Sequence, residues 1–96
     1  MMRNSTLQIL AEHKGLLTRR YGVTELALFG SRVRGDARED SDVDILVAFD
    51  GPATSERFFG VQFYLEDLLG CPVDLVTEKA LRDELRPHIE REAIRV

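Results

Sequence analysis

Apolar positions along this chain recur with two different periods, and the switches between them mark its elements. Leu7, Leu10, Ala11, Leu17 and Tyr21 follow helical spacing, which predicts a helix over residues 5–21, opened by Ser5 and Gln8 as a capping box and closed at Gly22. Val23 to Phe29 has the short, partly β-branched apolar content of a strand, broken by Gly30 and Ser31, after which residues 32–35 begin a short helix or turn. A second strand is expected over about Val43 to Phe49, with Ser41 and Asp42 as candidates for its start: Asp42 and Asp44 interleave with Val43, Ile45 and Val47, so the carboxylates share one face and the branched apolar residues the other. Asp50-Gly51-Pro52 then signals a turn.

Helical spacing returns with Phe58, Val61, Leu65, Leu68 and Leu69, capped by Thr54 or Ser55 and ended by Gly70; Phe59 and Phe63 are expected to widen its buried face, leaving Glu66 and Asp67 in solvent. Cys71-Pro72 introduces a strand over residues 73–76, in which Asp74 interrupts an apolar run. Residues 77–95 read as a helix, a break near Pro87, and either a short helix or a closing strand over residues 94–96. This order predicts an α/β (α+β) fold, a small mixed sheet flanked by helices.

Composition narrows the class. At 96 residues, 44% hydrophobic and 31% charged, the chain suits one small globular domain over residues 1–96 with one modest core. No apolar run approaches the roughly eighteen residues of a membrane span, and the first ten residues lack the apolar centre of a signal peptide, so a cytoplasmic location is expected. The lone Cys71 agrees with a reducing compartment and is expected to act as a small buried hydrophobe. A net charge of −4 argues against broad nucleic-acid binding. Locally, however, Arg32, Arg34 and Arg38 precede the Asp pair, placing cations beside carboxylates as phosphate chemistry requires.

Alpha carbons two apart on a strand are roughly 6.5 to 7 Å apart, close enough for Asp42 and Asp44 to converge on a cation. Asp74, on a neighbouring strand, is the candidate third ligand. Hard oxygen donors suit Mg2+, and two such ions about 3.5 to 4 Å apart can align the attacking and leaving oxygens of a nucleoside triphosphate. Gly30 allows close backbone approach to a phosphate, the Ser31 hydroxyl adds a donor, and Arg32 or Arg34 can reach the departing pyrophosphate. Two other readings of the segment fail. A Walker A loop needs a Gly-Lys-Ser/Thr ending that is absent, and a calcium loop starting at Asp40 needs glycine where Ile45 stands and glutamate where Gly51 stands.

Gly-Ser, ten residues, Asp-x-Asp and a later strand aspartate resemble the polymerase β type nucleotidyltransferase superfamily. The run GSRVRGDAREDSDVDILV, with the later Val-Asp-Leu-Val, resembles more closely the minimal nucleotidyltransferase (MNT) domains of bacteria and archaea. The resemblance spans most of the chain; Val33 stands where the motif commonly has alanine. It implies the polymerase β type nucleotidyltransferase fold. It also implies metal binding by Asp42, Asp44 and Asp74, triphosphate binding by Gly30, Ser31, Arg32 and Arg34, two Mg2+ ions, and ATP as substrate. Such domains are often antitoxins that transfer AMP to a tyrosine of a HEPN ribonuclease toxin, and a bare domain is expected to need a partner to complete its site. Two alternatives stand beside this: neutralisation of the partner by binding alone, and transfer to a small molecule such as an aminoglycoside. Asp36, Glu39 and Asp40 read as a solvated acidic loop, and His13 and His88 as surface or helix-terminal residues.

Overall fold

The computed structural model describes residues 3–30 and 42–96. Among these the order is helix α1 (Arg3–Tyr21), strand β1 (Val23–Phe29), strand β2 (Val43–Phe49), helix α2 (Ser55–Leu69), strand β3 (Val73–Thr77), a 3-10 turn (Glu78–Ala80), helix α3 (Arg86–Glu92) and strand β4 (Ile94–Arg95). The strands make one mixed sheet in the order β3-β2-β1-β4, with β2 and β3 parallel and the other two pairs antiparallel. Helix α2 is the crossover that a parallel pair requires.

The period-two pattern of β2 is realised on both faces of the sheet. Val43, Ile45 and Val47 are fully buried beneath α1 and α2, in a core with Leu10, Leu17, Leu26, Leu28, Val61, Leu65 and Leu75. Each such aliphatic side chain contributes about 1.5 to 3 kcal/mol through burial. On the opposite face a smaller apolar cluster joins Ala27, Phe29 and Leu46 to Leu81, with Val76, Ile89 and Ala93 beside it. The C-terminal segment therefore covers part of that second face.

Helix ends follow the expected chemistry in α2. The Thr54 side-chain oxygen accepts from the Arg57 amide at 3.2 Å, and Gly70, left-handed at φ 71°, donates its amide to the Glu66 carbonyl. Helix α1 differs from expectation. It starts at Arg3, so Ser5 lies within its first turn instead of capping it, and Gln8 donates to Glu12 at 3.3 Å. Helices α1 and α2 are joined by a 2.8 Å hydrogen bond between His13 Nδ1 and the Tyr64 hydroxyl, which gives His13 a packing role within the helix layer.

Three further expectations change. Phe59 and Phe63 do not widen the buried face of α2 but stand 49% and 62% exposed. Residues after Thr77 form a 3-10 turn instead of a helix, because the Thr77 side chain accepts from the Ala80 amide and caps a single turn. Pro87 does not break a helix; it lies in the first turn of α3, where its missing N–H costs nothing. Cys71 is half-buried against the core, and the segment closes as strand β4. The expected turn over residues 32–35 lies outside the described residues.

Candidate functional site

The site is built on the second face of the sheet, at the end where its apolar cover gives out. Along β2, Leu46 is 2% exposed beneath Leu81, Asp44 is partly exposed, and Asp42, just before the strand, is exposed. Strand alternation places Asp44 and Leu46 on this face, opposite Val43 and Ile45, and Asp42 precedes them in the chain. The register sets their neighbours: Asp44 pairs with Phe29 on β1 and with Asp74 on β3. Residues in register on adjacent strands lie about 4.7 to 4.9 Å apart, so the two carboxylates project side by side.

Gly30 closes this end of β1. It is buried and left-handed at φ 82°, a conformation that costs other residues roughly 1 to 2 kcal/mol. A Cβ added there would collide with the Asp44 carboxylate, coming within 2.8 Å of its Cγ and 3.1 Å of its Cβ. The glycine thus holds open the space beside Asp44.

Asp74 is held from behind by a feature that sequence reasoning missed. On the outer edge of β3, Glu66 Oε2 accepts the Val73 amide at 3.0 Å, while Gln62 Nε2 donates to the Val73 carbonyl at 3.1 Å. These side chains, four apart on α2, satisfy both polar groups of the residue before Asp74, and the Val43 amide bonds the Pro72 carbonyl at 3.0 Å on the other side. Glu66, expected to be solvated, is therefore a structural ligand of the strand. Its signal in the sequence was faint: an acid one helical turn from Gln62, on a helix that returns by a short loop to the strand it flanks.

Asp44 and Asp74 are thus brought together, with Asp42 at the mouth. Among the described residues no three His, Cys, Asp or Glu side chains are close enough to share one metal ion. The donor set nonetheless fits a hard divalent cation, because Mg2+ is commonly held by one or two carboxylates, its remaining positions filled by waters and substrate phosphates. Ser31, Arg32 and Arg34 lie outside the described residues. A cavity of about 470 Å3 lined by Ala48, Phe49, Thr77 and Lys79 opens toward the far end of β2, about 13 Å along the strand from Asp44, and contains none of these acids.

A mixed sheet that sets adjacent carboxylates beside a glycine is the arrangement expected of a nucleotidyltransferase. The chain belongs to the nucleotidyltransferase domain family, whose model matches residues 10–96. It is similar to the protein adenylyltransferase MntA of Thermococcus cleftensis, with 47% identity over 88 residues, 92% of this chain and 89% of that protein. A solved structure of a candidate minimal nucleotidyltransferase is 42% identical, with a TM-score of 0.81 and coverage of 98% of this chain and 95% of the other. The fold also matches, at TM-score 0.61 and 18% identity, a chain of a complex between the tri-AMPylated HEPN toxin and the MNT antitoxin of Shewanella oneidensis; 97% of this chain and 66% of that one are covered. Among the described residues no helix is long and apolar enough to cross a membrane.

Proposed function

We propose that this protein transfers AMP from ATP to a tyrosine hydroxyl of a HEPN-type toxin, releasing pyrophosphate and neutralising the toxin. The observation that carries the reading is the register pairing of Asp44 with Asp74 beside Gly30, in a chain 47% identical to a protein adenylyltransferase. In the reaction the tyrosine oxygen forms a bond to the α-phosphorus of ATP and the bond to the β-phosphate bridging oxygen breaks. The phenolic proton leaves the acceptor, and the exposed carboxylate of Asp74 is assigned to receive it.

Mg2+ is the ion this donor set suits, and when bound it supplies charge neutralisation for the triphosphate. Asp42, Asp44 and Asp74 would hold such ions between them, one or two carboxylates to each ion. The backbone at Gly30 admits the phosphates next to Asp44 because no side chain stands in the way. Ser31, Arg32 and Arg34 follow in the sequence and are assigned to the triphosphate, the arginines by the affinity of guanidinium for phosphate.

One observation favours a second reading. The exposed, stacked Phe59 and Phe63 would suit a protein that masks its partner without chemistry. The two are separated by assaying the toxin's ribonuclease activity after mixing with this protein, with and without ATP and Mg2+. Adenylyl transfer predicts inhibition that needs both and survives removal of this protein; masking predicts equal inhibition in either condition, reversed when the protein is removed.

A further inference from the structure

Helix α2 carries an exposed stripe that neither the core nor the carboxylate site uses. Phe59 and Phe63, 49% and 62% exposed, lie one turn apart with rings stacked at 6.1 Å between centroids and 23° between planes. At 3.6 residues per turn Glu56 and Asp67 fall on the same stripe, one beyond each end, and both are exposed. The carboxylates bracket the aromatic pair about 16 Å apart along the helix axis. Exposed Phe costs solubility and does not stabilise the fold, so a paired, acid-bracketed set marks a contact surface.

Charge decides what can cover it. A second copy related by a two-fold axis would pair the stripes either antiparallel, setting Glu56 against Asp67, or parallel, setting each acid against its own copy. Both put carboxylate against carboxylate, which is repulsive in a desolvating interface. The complementary surface is an apolar groove with Lys or Arg at each end. Position points the same way. Gln62 and Glu66, which bond the outer edge of β3, lie on the flank between the stripe and that strand, so a protein that covers the stripe and wraps that edge reaches Asp74, which projects from the opposite face of the sheet.

We propose that Glu56, Phe59, Phe63 and Asp67 form the docking surface for the protein that accepts the adenylyl group, and that this acceptor meets it with an apolar groove bordered by basic residues. The inference rests on the transfer reaction proposed above and names where its protein substrate binds.

The test uses the full chain and the HEPN-type toxin as probe, measuring affinity by calorimetry across a salt titration and transfer by steady-state kinetics. Phe59→Ser with Phe63→Ser should weaken toxin binding by about 30-fold or more, raise the KM for toxin, and leave kcat at saturating toxin and the unfolding midpoint nearly unchanged. Glu56→Lys with Asp67→Lys should weaken binding most at low salt and flatten its salt dependence. Wild-type affinity in the Phe variant would overturn the docking surface while leaving the transfer reading intact. Tight binding lost in the Phe variant, with no AMP transferred by the wild type, would refute the transfer reading and keep the surface as a toxin contact. No binding of toxin by the wild type would overturn this surface's assignment, as would a dimer of this chain that the Phe variant dissociates.

Discussion

Replacing Gly30 with alanine separates the two demands that the structure places on that position. The left-handed backbone at φ 82° costs alanine roughly 1 to 2 kcal/mol, and the new Cβ displaces the Asp44 carboxylate, adding about 0.5 to 1.5 kcal/mol if the side chain leaves its preferred rotamer. A less flexible unfolded chain returns about 0.4 to 1 kcal/mol, so the net loss is on the order of 1 to 3 kcal/mol. For a domain of this size the melting temperature then falls by roughly 4 to 20 °C, well short of unfolding at room temperature. Transfer should fall much further, by about 100-fold or more, because Asp44 is moved from its place beside Asp74. Gly70→Ala is the control: its φ is 71°, but nothing lies within 4 Å of the added Cβ, so it carries the backbone strain without the collision. Thermal melts and AMP transfer measured on both variants test this. Transfer by Gly30→Ala equal to that of Gly70→Ala would refute the claim that the glycine keeps space for the carboxylate.

Three other outcomes follow from the packing. Glu66→Ala should cost about 1 to 3 kcal/mol in chemical denaturation by leaving the Val73 amide without its acceptor, and should lower transfer with it; Glu66→Gln, which keeps an acceptor oxygen, should recover most of both. Tyr64→Phe removes the 2.8 Å bond to His13 and should cost about 1 kcal/mol while leaving transfer unchanged, since it acts in the helix layer on the other side of the sheet. Leu65→Ala, at a fully buried position between α2 and the sheet, should cost about 2 to 5 kcal/mol by denaturant titration.

What could be read in the sequence was what local periodicity encodes. Strands β1 and β2 appear with the bounds that alternation and apolar content predicted, and α2 runs between its Thr54 cap and Gly70 as expected. That Asp44 stands on the face opposite Val43 and Ile45 was legible for the same reason: it depends only on a period of two. The pairing of Asp44 with Asp74 was not, because it depends on β2 and β3 being parallel neighbours in one particular register. Helix α2 misled for a different reason. Apolar residues at 58, 59, 61, 63, 65, 68 and 69 occupy much of its circumference, so spacing alone could not say that Phe59 and Phe63 face outward. Glu66 was read as solvated because its partner, the outward amide of an edge strand, exists only once β3 is in place. The segment after Thr77 has few apolar residues to set a period, and there a side-chain cap and a proline-started turn decided the structure.

The central claim is that the adjacent carboxylates of β2 and β3 support transfer of AMP to a partner protein. Intact-mass spectrometry of a HEPN-type toxin, incubated with this protein, ATP and Mg2+, tests it most directly. The wild type should add one or more AMP groups and Asp44→Asn plus Asp74→Asn none, a variant expected to stay folded because Asp74 is exposed and Asp44 only partly buried. An undiminished gain with the double variant, or no gain with the wild type under conditions where it inhibits the toxin, would refute AMP transfer by these carboxylates.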